Sequence, residues 1–377
     1  MSLGACRARL ALETILQRPG QGIPSWMIHP MQHAHIERVA GVQPGEYARN
    51  PEETYVAFQR AAGTCLLDQY IPHNPLTMGD QGFEGPDRGA TTGAEELVLD
   101  GIRIDSPEAV AEHLEQIEFG RIRNEIASFD AESAVSEIVV QEAATQEKLG
   151  TGILKSGYGF VRFPAFSYST YGYAPYFMAY ALYPDIIERH FALQADLALL
   201  QNRAAASAYL AGHLPPLHRL DHDMADSRGT LVDIGSLDRL WFPHFARCLE
   251  PLLRTDMRLI WHCDGNLMQM VPRLLEAGIR GFQGFQYEDG MDYAAICRMQ
   301  ARDGCSLVII AGVSATRTLP FGSPGDVRRE MAWLVAHGPP TGLFLGGSSS
   351  IVPGVSWENL RTLIEGLRYY QTVGKLG

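Results

Sequence analysis

Two polar side chains, His262 and Asp264, follow a run of mostly apolar residues that begins at Met257. A neutral imidazole and a carboxylate are both ligands for Zn²⁺ or a similar metal, and together they also form a general acid/base pair. Because side chains alternate along a strand, His262 and Asp264 should point together and Cys263 should point the opposite way. The sequence therefore predicts a site at the end of this strand. The alternative is that Asp264 and Gly265 only form a turn and His262 is a hydrogen-bonded structural residue.

Other predicted strands also end in polar or ionisable residues. Parallel strands of α/β folds end at one common rim, and ligands bind at that rim, so these residues are candidates for the same site. Two of these residues, His33 and His35, are as consistent with histidines that face solvent or substrate as with a pair of metal ligands. The candidates outside the central strand end are His29, His33, His35, His73, Asp221, His222, Asp223, Asn266, Gln286, Glu288 and residues 348–350.

The elements that must position these residues alternate along the chain. Apolar strand-like segments are separated by amphipathic helices, and each connection is long enough to join parallel strands. A helix predicted over residues 5–17 precedes them. The pattern predicts an α/β fold, a (β/α)8 TIM barrel with an N-terminal helical extension, as a single domain over residues 1–377. The eight predicted strands are Ile23–His29, Thr64–Ile71, Tyr158–Phe163, Pro216–Leu220, 257–265, Gly281–Gln286, Ser306–Gly312 and Gly342–Gly347.

A doubly wound open sheet with a second domain is the alternative architecture. Such a fold would be favoured by a phosphate-binding glycine motif. No Gly-x-Gly-x-x-Gly follows the first predicted strand, and no Gly-x-x-x-x-Gly-Lys-Ser/Thr occurs in the chain. The barrel is therefore the preferred prediction.

Two segments interrupt the alternation. Residues 74–105, after the second predicted strand, are rich in Gly, Pro, Asp and Thr, and their short apolar pieces predict a loop and hairpin insertion. A loop of this length in a compact domain is often a functional lid. The aromatic residues at 166–180 fit an apolar pocket for a flat ligand or, alternatively, the hydrophobic core.

Composition and charge exclude several classes of partner. With 46% hydrophobic and 20% charged residues, the chain is typical of a soluble globular protein. A formal net charge of −12 argues against nucleic acid or an anionic membrane as the main partner, since phosphate contacts need clustered Lys and Arg. No apolar run is long enough for a membrane span, and the six cysteines include no Cys-x-x-Cys pair. We therefore expect a cytoplasmic protein with reduced thiols that acts on a small molecule.

Several motifs resemble the uroporphyrinogen decarboxylase superfamily over residues 215–372. That superfamily also contains cobalamin-dependent methyltransferases, which pass methyl groups between a corrinoid and a thiol. The resemblance implies a (β/α)8 barrel with its active site at the mouth. The motifs that carry it are His262-Cys-Asp-Gly-Asn266, Leu274-Leu-Glu-Ala-Gly278, Gly290-Met-Asp292, Gly346-Gly-Ser-Ser-Ser-Ile-Val-Pro353 and Trp357-Glu-Asn359.

Two departures from the family motifs indicate the branch. The haem-pathway decarboxylases have an Arg-Gln-Ala-Gly-Arg-Tyr motif after the first strand, where this chain has Met27-Ile-His-Pro-Met-Gln-His33. The zinc methyltransferases have a His-x-Cys pair after the fifth strand and a further Cys after the eighth. Here Asp264 stands at the second position of the pair, and Ser349 stands near the distal cysteine. The chain is therefore more similar to the methyltransferase-like branch, with an altered set of metal ligands.

The resemblance also implies roles for the candidate residues. Asp223 is expected to orient the substrate, and zinc is the expected metal. Methyl transfer would need a corrinoid, either free or on a partner protein. The expected catalytic residues are His262, Asp264, Asp223 and His29. The expected metal ligands are His262, Asp264 and Glu288. The expected substrate-binding residues are His33, Asp221, His222, Asn266, Gln286 and Ser349.

Two other functions remain open at this point. One is a cofactor-independent decarboxylase that acts on a porphyrinogen-like or other polycarboxylate substrate, with an aspartate stabilising a protonated ring intermediate. The other is a barrel that binds a ligand without catalysing a reaction. The oligomeric state is not indicated by the sequence.

Overall fold

The strands of the protein are short in the N-terminal half and longer in the C-terminal half. The computed structural model describes residues 3–18, 20–73 and 97–375. Within these residues the strands are β1 (Leu66–Leu67), β2 (Val98–Leu99), β3 (Ile102–Arg103), β4 (Leu154–Lys155), β5 (Gly157–Tyr158), β6 (Leu217–Asp221), β7 (Ala225–Asp226), β8 (Gly229–Thr230), β9 (Arg258–His262), β10 (Gly281–Gln283), β11 (Val308–Val313) and β12 (Leu343–Gly347).

Helices make up much of the fold and connect the parallel strands. Three of them begin at caps that the sequence predicts: Ser106, Ser323 and Ser356 each accept a backbone N–H of the first turn. The helices of the described residues are α1 (Leu3–Ile15), α2 (His33–Ala40), α3 (Glu46–Arg49), α4 (Pro51–Ala62), α5 (Pro107–His113), α6 (Phe119–Ala127), α7 (Ala131–Leu149), α8 (Tyr168–Tyr171), α9 (Tyr173–Leu182), α10 (Pro184–Ala211), α11 (Ile234–Leu240), α12 (Phe242–Leu253), α13 (Val271–Ala277), α14 (Tyr293–Cys297), α15 (Thr318–Phe321), α16 (Pro324–His337) and α17 (Trp357–Val373).

A curled sheet of six parallel strands lies at the centre of the fold. Its strand order is β12-β11-β10-β9-β6-β5. The strands from β6 to β12 in this sheet are almost wholly buried, as expected for a parallel sheet with both faces covered. Since all six strands run in the same direction, their carboxyl ends lie along one edge.

The predicted (β/α)8 barrel is confirmed only in part, because the described residues do not form a closed eight-stranded barrel. β1 pairs with β4 in a separate two-stranded parallel sheet. The first predicted strand contributes isolated parallel bridges, from Ser25 to Leu345 and from Trp26 to Leu66. The neighbouring Pro24 has no N–H to donate, which limits a continuous ladder at this position.

The third predicted strand is displaced along the chain. The prediction was Tyr158–Phe163, whereas the observed strands β4 and β5 end at Tyr158. Gly159 has a positive φ of 82°, which breaks the extended conformation, and residues 159–163 continue as a loop. The apolar side chains of that loop had given it the appearance of a strand.

The predicted insertion is described only at its C-terminal end. β2 and β3 form an antiparallel pair, with Val98 opposite Arg103 and Leu99 opposite Ile102, so the hairpin prediction is confirmed there. The remainder of the predicted insertion, residues 74–96, lies outside the described residues. The predicted N-terminal helix is confirmed as α1.

Candidate active site

Asp221, Asp223 and His262 come together at the carboxyl ends of β6 and β9. Asp221 and His262 are register partners on these adjacent parallel strands, so their side chains project from the same face. Asp223 follows two residues after Asp221. One potential ligand atom from each of the three residues lies within 4.8 Å of the other two. The residues therefore form a compact group of one imidazole and two carboxylates.

The spacing within this group leaves room between the polar atoms. His262 Nε2 lies 3.9 Å from Oδ1 of Asp221 and 3.9 Å from Oδ1 of Asp264, which is too far for a hydrogen bond. His262 is 8% exposed, and its Nδ1 and the buried Oδ1 of Asp264 have no hydrogen-bond partner among the described residues. Burial raises the pKa of Asp264. Two donor atoms that are each about 2 Å from one ion lie about 3–4 Å apart, so the two 3.9 Å separations are compatible with one ion, whereas the 4.8 Å limit of the three-residue group is wider.

Gly284 fixes the position of the His262 ring. A Cβ at residue 284 would lie 2.3 Å from Nδ1 of His262 and 2.5 Å from its Cε1, so the imidazole rests directly on the glycine backbone. Gly284 also has a positive φ of 79°. Both the backbone conformation and the space at this position therefore require glycine.

A buried ion pair lies next to Asp221. Arg219 donates from NH1 to Oδ2 of Asp221 at 2.8 Å and from Nε to Oδ2 of Asp68 at 2.5 Å. Tyr158 also donates to Oδ2 of Asp221, at 3.0 Å. Although burial alone would raise the pKa of Asp68, the charge and hydrogen bonds of Arg219 outweigh it and hold the pKa below its usual value. These contacts orient the Asp221 carboxylate so that Oδ1 faces His262.

The Asp68–Arg219 pair was not among the residues predicted from the sequence. Asp68 also accepts a hydrogen bond from Nε1 of Trp26 at 2.9 Å, and the Arg219 guanidinium lies 5.5 Å from the Trp26 ring centroid. The available signal was a single charged residue inside each of two otherwise mostly apolar strands, Thr64–Ile71 and Pro216–Leu220. Charged side chains are almost never fully buried unless paired, so two such residues suggest partners for each other.

Asp223 joins the loop after β6 to the loop after β9. Its Oδ1 accepts the backbone N–H of Asp264 at 3.0 Å, and its carbonyl oxygen accepts the Tyr168 hydroxyl at 3.2 Å. Asp223 is an exposed residue, unlike the buried His262. It is therefore the member of the group that a substrate can reach most easily.

His222, predicted to bind substrate, contacts the aromatic segment. Its Nε2 accepts the backbone N–H of Phe166 at 2.9 Å, and its ring stacks on Tyr168 with centroids 5.9 Å apart. Burial lowers the pKa of His222 to about 4, so the ring is neutral at neutral pH. The structure thus places His222 behind Asp223, where it holds the aromatic segment.

Gln286 and Asn266 lie in the loops beside the same group. Gln286 Oε1 accepts the backbone N–H of Gly265 at 2.6 Å, and Asn266 Oδ1 accepts that of Met268 at 3.2 Å. An asparagine just before an apolar helical pattern predicts a helix cap, and this prediction from the sequence is wrong for Asn266, because α13 begins at Val271. The asparagine side chain instead stabilises a local turn, and such turns compete with the helical conformation.

Glu288 is held by a different set of side chains. Its Oε1 accepts hydrogen bonds from the hydroxyls of Ser314 at 2.5 Å and Thr316 at 2.7 Å. Of the residues that the structure describes, it does not belong to a group of three potential metal ligands. Of the predicted ligands His262, Asp264 and Glu288, the first two lie close together, with 3.9 Å between Nε2 and Oδ1, whereas Glu288 is held by Ser314 and Thr316.

The remaining predicted residues lie on the first and last parallel segments. His29 is almost buried, its Nδ1 has no hydrogen-bond partner among the described residues, and burial lowers its pKa to about 4. Its carbonyl oxygen accepts the N–H of Ile351 at 2.9 Å. His33 begins α2, with its ring 4.5 Å from that of Tyr47. Ser349 lies in the bend after β12.

Cys263 points away from the candidate site, as strand alternation predicts. Its Sγ accepts the N–H of Met224 at 3.2 Å and donates to the carbonyl oxygen of Asp264 at 3.0 Å. Burial raises the pKa of this thiol to about 12. The cysteine is thus a neutral, buried contact between two loops.

Comparison with known proteins gives a likeness of fold. The chain matches no protein-family model and no curated protein. Among solved structures it is similar to a methyltransferase from Methanosarcina mazei, with a TM-score of 0.57 over 97% of this chain and 98% of that chain. The two sequences are 14% identical, so the likeness concerns the fold. No helix of the described residues is long and apolar enough to cross a membrane.

Proposed function

We propose that the protein is a methyltransferase-like enzyme that acts on a small molecule at a metal site formed by Asp221, Asp223 and His262. The observation that carries the proposal is the convergence of these three ligand atoms within 4.8 Å, at the carboxyl ends of adjacent parallel strands. Enzymes with sheets of this type place their chemistry at that edge. The fold likeness to a methyltransferase supports the same class of reaction.

We also infer a divergent (β/α)8 barrel of the uroporphyrinogen decarboxylase superfamily. The bridges at Ser25 and Trp26 and the β1–β4 pair lie where strands one to three of such a barrel would be. The sequence motifs at residues 262–266 and 346–353 support this assignment.

The donor set favours a first-row divalent metal bound by nitrogen and oxygen. Imidazole and carboxylate ligands suit zinc and equally other ions of that row, whereas thiolate-rich zinc sites need cysteine, and Cys263 points elsewhere. When bound, such a metal would act as a Lewis acid that lowers the pKa of a coordinated hydroxyl or thiol. His262 and Asp221 would hold it from the buried side, and Asp223 from the exposed side. Asp264 lies beside them, with its Oδ1 3.9 Å from Nε2 of His262.

We propose that the small molecule exchanges its methyl group with a corrinoid, which is either free or carried by a partner protein. This part of the proposal rests on the sequence resemblance. His29, Gln286 and Asn266 remain proposed contacts for the small molecule, because they lie in the loops and strand ends around the same edge.

Metal content tests the proposal directly. Protein purified without chelator and then incubated with zinc, cobalt or manganese should retain a stoichiometric divalent metal after gel filtration, as measured by plasma mass spectrometry. The variants His262→Ala and Asp223→Asn should lose it. Glu288→Gln is the matched control, since Glu288 is a carboxylate of the same edge that contacts Ser314 and Thr316, and it should retain the metal.

Two results would overturn the metal site: a wild-type protein that retains no metal, or an His262→Ala variant with unchanged content. A second measurement addresses the reaction. Loss of methylcobalamin absorbance together with methylation of an added thiol, such as dithiothreitol, would support methyl transfer. Turnover of a porphyrinogen would instead support the decarboxylase alternative.

A further inference from the structure

An open cleft of about 750 Å³ lies beside the candidate active site. One wall is formed by α9, through Tyr173, Phe177 and Met178, and the other by the β7–β8 hairpin and the residues that follow it, through Asp226 and Leu231. Its volume lies in the range of pockets that bind small organic molecules. The cleft is thus large enough for one substrate molecule.

The α9 wall of the cleft exposes large apolar side chains, whereas aromatic side chains at neighbouring positions are buried. Tyr173 is 42% exposed and Met178 is 51% exposed, whereas Phe166, Tyr171 and Tyr176 of the same aromatic segment are buried. Large apolar side chains that converge on one concave surface mark ligand or partner sites more often than scattered ones do. The segment therefore divides into core aromatics and aromatics that face the cleft.

A row of aromatic ring contacts connects the cleft to the loop that carries Asp223. The Tyr168 ring lies 5.0 Å from that of Tyr173, 5.8 Å from that of Phe177 and 5.9 Å from that of His222, measured between centroids. The Tyr168 hydroxyl donates to the carbonyl oxygen of Asp223. A molecule in the cleft would therefore lie near the loop that carries Asp223, with Tyr168 between them.

The charges around the cleft favour a ring without a negative charge. Asp226 lines the cleft, and Tyr173 of its wall contacts the ring of Tyr168, whose hydroxyl donates to the carbonyl oxygen of Asp223. Arg228, which also lines the cleft, is already paired with Asp226, with NH2 2.8 Å from Oδ2. These two are the only charged residues that line the cleft among the described residues and their charges offset each other, so the lining offers no unpaired cation to an anionic ligand.

We propose that this cleft binds the planar aromatic part of the small-molecule substrate. The ring lies against Tyr173 and Phe177, and the polar substituent that carries or receives the methyl group reaches toward Asp223. Ring-on-ring contacts add affinity beyond the apolar area that they bury, which selects planar over saturated molecules. This inference rests on the proposed function, because it assigns a substrate class to that same site.

Ligand-observed NMR titration tests the cleft with two probes that differ in planarity. The probes are 2-methoxyphenol and 2-methoxycyclohexanol, which carry the same two oxygen atoms on an aromatic and a saturated ring. Wild-type protein should bind the aromatic probe roughly fivefold more tightly. Tyr173→Leu should abolish this preference while keeping apolar bulk, and Tyr173→Phe should retain it. Tyr369→Leu is the matched control, since Tyr369 is 49% exposed and lies on the distant α17, and it should leave the preference unchanged.

The outcomes separate the cleft from the metal site. Equal binding of the two probes by the wild type, or an unchanged preference in Tyr173→Leu, would overturn the aromatic subsite. A similar loss in Tyr369→Leu would also overturn it, since binding would then be spread over surface aromatics. The titration is repeated on chelator-treated protein. If the chelator-treated protein still prefers the aromatic probe while the wild type fails to retain a metal, the aromatic subsite is supported and the proposed metal site is contradicted.

Discussion

Asp221 lies directly opposite His262 in the register of the parallel strands β6 and β9, with Oδ1 of the aspartate 3.9 Å from Nε2 of the histidine. Register partners on parallel strands move together, so the distance between these atoms depends on the sheet and not on a flexible loop. The third member of the group, Asp223, lies on the loop that follows. The site thus has two rigid donors and one that can adjust to a substrate.

Arg219→Leu should destabilise the fold by about 3–5 kcal/mol, because it leaves the buried Asp68 carboxylate without its partner. Urea unfolding of the purified variant measures the loss. The double variant Asp68→Asn with Arg219→Leu removes both charges and should recover part of it. A single variant that unfolds within about 1 kcal/mol of the wild type would show that the ion pair is not needed.

Gly284→Ala should reduce metal retention at least tenfold, because the added Cβ displaces the His262 ring. The matched control is Gly159→Ala, whose φ of 82° is close to the 79° of Gly284 but whose Cβ would meet no atom within 4 Å. Both variants should lose about 1 kcal/mol of stability from backbone strain. Equal metal content in the two would contradict the placement of the imidazole.

Alkylation of the native protein should separate its cysteines into two classes. Cys6 and Cys305 are exposed and should react with iodoacetamide within minutes, as identified by peptide mass spectrometry. The four buried cysteines should be protected, since burial raises the pKa values of Cys248, Cys263 and Cys297 to about 12 and keeps these thiols protonated. Rapid native labelling of Cys263 would place it at an open site and contradict its position between two loops.

Acid should weaken the fold partly through His190. Burial lowers its folded-state pKa to about 4, below the usual value of 6.5, and Gln194 donates to the neutral ring at 3.0 Å. A folded pKa below the unfolded one stabilises the protein fully above pH 6.5, and that stability is lost as the pH falls toward 4. Urea unfolding at pH 7 and pH 4.5 measures the effect. Between these pH values the free energy of unfolding should fall by up to about 3 kcal/mol less in His190→Gln than in the wild type. An identical pH dependence would contradict a neutral His190.

The C-terminal strands could be predicted closely from the sequence, for physical reasons. Each is an apolar run buried on both faces and bounded by glycine or polar residues, as in the predicted strand 257–265, of which Arg258–His262 is observed as a strand. The N-terminal half was less predictable. Its strands are two residues long or reduced to bridges, and the apolar residues 159–163 belong to a loop after Gly159. A strand of two residues has too few positions to show the apolar–polar alternation by which strands are predicted.

The candidate site could be predicted in part. Asp221, Asp223 and His262 were predicted because polar residues at the ends of parallel strands face one edge. The contact between Asp68 and Arg219 was missed, because the two residues are 151 positions apart and meet only through the arrangement of the sheet, and the single charge in each apolar strand was the one signal for it. Glu288 was placed at the site from its position after a strand, but its hydrogen bonds to Ser314 and Thr316 turn it toward the next loop.

Arg219 also limits how Asp221 can coordinate a cation. One carboxylate oxygen, Oδ2, accepts hydrogen bonds from both Arg219 and Tyr158, which leaves Oδ1 as the oxygen that faces His262. A monodentate aspartate occupies one coordination position where a bidentate one would take two. In the proposed metal site, the guanidinium would therefore leave a coordination position that a substrate atom could take.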